Sequence, residues 1–133
     1  MAEIVVFDSS AILAVLYKEP GSLAVADALA DPERTVLVSS VNLCEVVTKL
    51  VLGGGSDSNV DVSLTPFHRY VVDFDAQQAL YAGELSRASR KLGLSLGDRA
   101  CLALAASRNA TAWTTDAAWL KLKTGVKVHL LRS

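Results

Sequence analysis

At 133 residues the chain is long enough to bury a core without disulfides or a structural zinc, and short enough to be one domain spanning 1–133. Half of it is hydrophobic (51%) and a fifth charged (20%), which excludes a disordered polymer. A net charge of −1 excludes a basic domain that grips nucleic acid through its overall field, so any affinity for a polyanion must be local.

Ile4 to Phe7 is a short apolar run that stops at Asp8-Ser9-Ser10, after which Ala11 to Tyr17 has helical composition until Glu19-Pro20-Gly21 breaks it. Ser22 is placed to cap a second helix running to Ala30, ended by Asp31-Pro32. Val36-Leu37-Val38 is a second strand, closing on Ser39-Ser40, and Asn42 to Leu52 is a helix stopped by Gly53-Gly54-Gly55. Ser56 to Pro66, rich in Ser, Asp and Asn, reads as a loop without regular structure. Tyr70 to Phe74 is a third strand, followed by helices over Ala76 to Leu92 and Leu96 to Arg108. Thr111 to Thr114 is a fourth strand, Asp116 to Leu122 a short helix, and Val126 to Leu131 a last strand.

Five short strands separated by helices, with no hairpin signal between them, predict an α/β fold: a mostly parallel sheet with helices on both faces. Cys44 and Cys101 lie far apart inside apolar helical patterns and read as two buried thiols, which suits a reducing cytoplasm. Met1-Ala2-Glu3-Ile4 carries no basic leader, and no stretch reaches the roughly 18 apolar residues of a membrane span.

In an open parallel sheet, strand carboxyl ends and helix amino ends share one edge, where such folds bind ligands. Asp8 follows the first strand, Asp116 follows the fourth with one Thr between, Asp98 stands in the first turn of a helix, and Glu45 lies near the start of the helix after Ser39-Ser40. Taken singly, each Asp is explained by helix capping. Glu45 has an alternative in an i,i+4 pair with Lys49, but its neighbours Leu43, Cys44, Val46 and Val47 make an unpaired carboxylate costly. Four carboxylates at one edge would repel and raise one another's pKa unless a cation neutralised them, and an all-oxygen set selects hard ions, Mg²⁺ or Mn²⁺. Two such ions about 3.5 to 4 Å apart could activate water and stabilise the leaving oxygen of a phosphodiester.

Four segments carry a resemblance: Val5-Val6-Phe7-Asp8-Ser9-Ser10-Ala11, Ser40-Val41-Asn42-Leu43-Cys44-Glu45-Val46, Leu96-Gly97-Asp98-Arg99-Ala100 and Thr114-Thr115-Asp116. In this order and at these spacings the chain resembles PIN-domain nucleases, and among them the VapC-type toxins of type II toxin-antitoxin pairs. The resemblance implies a PIN-like domain that is a Mg²⁺- or Mn²⁺-dependent endoribonuclease, often a homodimer, held inactive by a small VapB-type antitoxin. By the same resemblance Asp8, Glu45, Asp98 and Asp116 are the metal-binding and catalytic acids, and Ser9 and Thr114 are supporting hydroxyls. An antitoxin of this kind places a basic side chain in the acidic pocket, and the apolar helices over Ala11–Leu16 and Leu23–Leu29 are candidates for its groove or for a dimer face, beside ordinary core packing. The Gly53-to-Asn59 stretch departs from the pattern, standing where such proteins carry a further helix.

Arg99 could guide an RNA backbone toward the acids, as could Lys18; Arg87, Arg90 and Lys91 read better as a solvated face. Trp113 and Trp119 read as core or half-buried anchors, and His68 and His129 lack partners at metal or triad spacing. Asp75 reads as a cap. Two other readings stand beside the nuclease: an aspartyl-phosphate phosphatase using Asp8, which lacks the usual Asp two residues on, and an inactive adaptor of the same fold binding RNA or protein.

Overall fold

The computed structural model describes residues 3–131, so the absence of a basic leader at Met1 and Ala2 lies outside the described residues. Five strands, β1 (Glu3–Phe7), β2 (Arg34–Ser39), β3 (Val71–Val72), β4 (Thr111–Thr114) and β5 (Lys127–Leu130), form one sheet in the order β3-β2-β1-β4-β5. Every pairing is parallel. Strands covered on both faces read as continuous apolar runs, which is why Ile4 to Phe7 shows no alternation of polar residues.

Alternate residues of β1 feed two cores. Val5 and Phe7 pack with Ile12 of α1 (Ser9–Leu16), Val25 of α2 (Ser22–Ala30) and Val46 of α3 (Ser40–Leu52). Val6 packs on the other side with Leu85 of α5 (Ala76–Ser89) and Cys101, Leu102 and Leu104 of α6 (Leu96–Arg108). Trp113 belongs to the first core and Trp119 to the second, both buried.

The Ser56–Pro66 segment departs from the sequence reading. It holds α4 (Asp57–Leu64), capped by the Ser56 hydroxyl, which accepts from Asn59 N at 3.4 Å. Its Ser, Asp and Asn content is capping and solvent-face chemistry, while Val60 and Leu64, four residues apart, enter the first core. The helix thought missing after the Glu-bearing one is therefore present.

Other boundaries shift as well. Only Val71–Val72 of the third strand pairs with β2, because Thr65–Tyr70 forms a 3₁₀ turn led by Pro66; the helix from Ala76 loosens to 3₁₀ over Arg90–Leu92. Ser22 is the first residue of α2 and does not cap it; the N-cap is Gly21, whose φ of 96° suits glycine. Cys101 is buried, but Cys44 is exposed, since α3 turns it away from the core that Val46 enters. Among the described residues, no helix is long and apolar enough to cross a membrane.

Candidate active site

The strand order reverses between β1 and β4: the chain leaves β1 for β2 and β3 on one side, then crosses to β4 on the other. At such a switch point the connecting segments diverge and open a crevice beyond the strand carboxyl ends. Asp8 and Asp116 follow these two strands. They line a cleft of about 590 Å³ together with Glu45 from α3 and Asp98 from the first turn of α6. All four acids singled out in the sequence thus lie on one cleft. A fifth, Glu19, and one cation, Lys49, also line it.

Asp8 is only 4% exposed and caps α1. Its Oδ1 accepts from Ala11 N at 2.8 Å and Ser10 Oγ at 2.6 Å, and its Oδ2 from Thr114 Oγ1 at 2.6 Å. Capping and membership of the cleft therefore coexist in one side chain. With both oxygens held and nearly no exposure, the carboxylate is ill placed to attack a phosphate, which weighs against the aspartyl-phosphate reading. Burial pushes its pKa up from 3.8 to about 6; the bonds from Ser10, Thr114 and Ala11 lower it, and the Asp98 charge adds to the rise.

Asp98 completes a capping box on α6: its Oδ2 accepts from Ser95 N at 2.9 Å while Ser95 Oγ accepts from Asp98 N at 3.2 Å. Burial raises its pKa, the Ser95 bonds oppose the rise, and the charges of Glu45 and Asp116 reinforce it. Asp116 is exposed and caps the 3₁₀ turn Ala117–Lys121 by accepting from Ala118 N at 3.0 Å. Glu45 accepts from Ser9 Oγ and, at 3.0 Å, from Asn42 Nδ2. Among the described residues it makes no ion pair with Lys49, so the i,i+4 explanation does not hold it.

The hydroxyls of Ser9 and Thr114 touch acids as expected, each donating to a carboxylate of the cleft. Arg99 does not line the cleft: its guanidinium turns back to donate to Ala82 O of α5 at 2.9 Å. Lys49 lines the cleft in its stead. Asp75 caps α5, accepting from Gln78 N at 2.8 Å. His129 lies against Trp113, ring centroids 4.7 Å apart, and His68 borders a groove between α3 and α4.

Two polar residues were given no role by the sequence reading. Ser10 Oγ donates to Asp8 and accepts from Thr115 N at 3.0 Å, tying the first turn of α1 to the loop after β4. Asn42 reaches Glu45, Ser9 and the Gly97 carbonyl. A signal for Asn42 existed: at i−3 from Glu45 it shares that residue's helix face.

Among the described residues, no three His, Cys, Asp or Glu side chains close into a ready metal-binding group. In donor type and charge the cleft nonetheless fits a hard divalent cation: burial raises the pKa of Asp8 and Asp98, neighbouring carboxylate charges add to the rise of each, and none of the cleft acids has an arginine or lysine partner among the described ion pairs.

The PIN domain family model matches residues 5–124. Nothing among curated proteins matches the chain. Among solved structures the fold is similar to VapBC2 from Rickettsia felis bound to a promoter DNA fragment, with a TM-score of 0.75 and 21% identity over 96% of this chain and 98% of that one. It is also similar to DNA-bound VapBC from Salmonella typhimurium, at 0.74 and 19% identity over 97% and 98%. A third likeness is to Mycobacterium tuberculosis VapC20, a sarcin-ricin loop cleaving toxin, at 0.69 and 18% identity over 92% and 98%. With its single five-stranded parallel sheet and the family match over nearly its whole length, the chain belongs to the PIN domain family.

Proposed function

We propose that the protein is a Mg²⁺- or Mn²⁺-dependent endoribonuclease and the toxin of a type II toxin-antitoxin pair. The observation that carries this reading is the gathering of Asp8, Glu45, Asp98 and Asp116, from four separate stretches of chain, on one cleft at the strand carboxyl ends. Asp8, Glu45, Asp98 and Asp116 would hold the cation, which supplies the Lewis acidity that activates water and offsets charge on the leaving oxygen. Ser10 and Thr114 fix Asp8 from both oxygens, and Ser9 fixes Glu45, so that the acids meet a phosphodiester in a set orientation. Lys49 at the cleft wall is the cation of this chain nearest to hand for an RNA phosphate.

The toxin assignment draws on the similar VapBC structures, VapBC being a family of toxin-antitoxin systems, and on a cleft whose acids have no ion-pair partner among the described residues. A basic side chain from a VapB-type antitoxin would neutralise it. Of the proposed groove helices, most apolar side chains are core; Leu23 is the large one left exposed, with Tyr17 exposed just beyond the first helix, for an antitoxin or a second copy in a homodimer. A cytoplasmic location follows from this reading.

Incubating the protein with total cellular RNA and Mg²⁺ or Mn²⁺, then mapping new ends, tests the proposal. Discrete cuts are expected, abolished by EDTA and reduced about 100-fold or more by Asp98→Asn, since even outer partners of metal ligands cost roughly 10- to 100-fold when removed. Asn at position 98 can still accept from Ser95 N, so the fold should persist. Equal cutting by variant and parent would remove Asp98 from the site.

A further inference from the structure

Asn42 is 1% exposed and sits on α3 one turn before Glu45. Its amide nitrogen reaches three acceptors on three helices: Glu45 Oε1 at 3.0 Å on α3, Ser9 Oγ at 3.2 Å on α1, and the Gly97 carbonyl at 3.0 Å on α6. Its carbonyl oxygen is buried without a hydrogen-bond partner among the described residues. Burying an unsatisfied acceptor is costly, so an amide kept at this place has its value in what the nitrogen does.

Gly97 supplies the other half of the arrangement. A Cβ built there would fall inside the Glu45 carboxylate, so Glu45 occupies the space where any other residue would carry its side chain. That space lies at the first turn of α6, the positive end of the helix dipole, where an anion is favoured. The Asn42 amide bonds both the carboxylate and the carbonyl of this same glycine, clasping Glu45 against α6 beside Asp98.

We propose that Asn42 is a positioning residue of the cleft: its amide, working with the bare Cα of Gly97, holds the Glu45 carboxylate in the orientation in which it acts with Asp98, and so sets turnover and cation affinity without touching RNA. The functional part rests on the reading of the cleft as a metal-dependent nuclease site; the positioning part is separable from it.

Asn42→Leu removes the donor at similar volume, Asn42→Ser removes the amide and shortens the side chain, and Gly97→Ala puts a methyl where the carboxylate lies. Gly83→Ala is the control, because a Cβ there meets nothing within 4 Å. Crystal structures of the metal-free proteins should show Glu45 clasped in the parent and in Gly83→Ala, and displaced in the other three. Mn²⁺ titration by calorimetry should give dissociation constants at least about tenfold weaker for those three. With an oligoribonucleotide carrying a cut site mapped in total RNA, kcat should fall at least about tenfold while KM stays within about twofold. Should Asn42→Leu not fold, Asn42→Ser and Gly97→Ala decide. A carboxylate left in place in a folded variant, with Mn²⁺ affinity and kcat within twofold of the parent, overturns the positioning role. A parent that neither binds Mn²⁺ nor cuts RNA overturns the nuclease reading beneath it, whatever Glu45 does.

Discussion

The two ends of the parallel sheet treat acidic residues in opposite ways. At the strand amino ends, Glu3 and Asp31 share one cation: Arg34 Nε lies 3.7 Å from Glu3 and 3.8 Å from Asp31, and its guanidinium covers the Trp113 ring at 5.3 Å. At the carboxyl ends, Asp8, Glu45, Asp98 and Asp116 line one cleft, where hydroxyls and an amide bond Asp8 and Glu45, and Lys49 is the one cation among the lining residues. Carboxylates paired with a cation of the chain are part of the fold. Carboxylates gathered on one cleft with none of the described ion pairs to neutralise them call for positive charge from outside it. An adaptor released from catalysis has no reason to maintain the second kind, and this favours the nuclease reading over it.

The contrast can be sharpened by supplying that charge. Mg²⁺ or Mn²⁺ should stabilise the native state through the carboxyl end alone, by about 2.7 kcal/mol at a hundred times the dissociation constant, readable as a rise in Tm. Asp98→Asn should erase most of the rise and Arg34→Ala none of it. An ion that leaves the Tm unmoved at millimolar concentration would break the comparison.

Protons are a second source of positive charge. Asp8 binds a proton more tightly folded, with a pKa of about 6, than unfolded, with 3.8. Between those values the native state holds the extra proton, so this group favours folding increasingly as pH falls through 6, and the contribution is lost as pH rises above it. In EDTA, the parent should gain about 1 to 1.5 kcal/mol relative to Asp8→Asn between pH 7.5 and 5, by urea titration. Saturating Mn²⁺ should reverse the slope, because the cation needs the charged form. A metal-free profile in which parent and variant run parallel would contradict the buried, proton-hungry Asp8.

The smallest effect is expected at the other end. Arg34 and its partners are partly exposed, so Arg34→Ala should cost about 1 kcal/mol or less and leave RNA cutting unchanged. A loss of cutting would mean that the two ends are coupled.

The parallel sheet and its carboxyl edge were legible because strand-length apolar runs alternate with helical ones, and because topology alone sends Asp8, Asp98 and Asp116 to one side. The region around α4 was not. Its caps and its loop-like residues are the same residues, and a two-residue apolar stripe is too sparse to outweigh them. The exposure of Cys44 was hidden because its neighbours Leu43 and Val46 are apolar, while helix phase, not neighbourhood, decides burial. At the site, the acids could be named from spacing, but Ser10 could not, since its role depends on a contact 105 residues away along the chain; Asn42 shows only its i−3 place on the Glu45 helix face, while its contact with Gly97 lies 55 residues away. Arg99 lies off the cleft for a like reason: adjacency to Asp98 in sequence puts it on a different face of α6, where it bonds α5.

Binding of a divalent cation by the four acids at the carboxyl end is open to direct test by anomalous diffraction from crystals of the parent grown with Mn²⁺. An anomalous peak is expected within coordinating distance of Asp8, Glu45, Asp98 and Asp116, absent from Asp98→Asn. A cleft without a peak at saturating Mn²⁺, or a peak bound elsewhere on the surface, would contradict it.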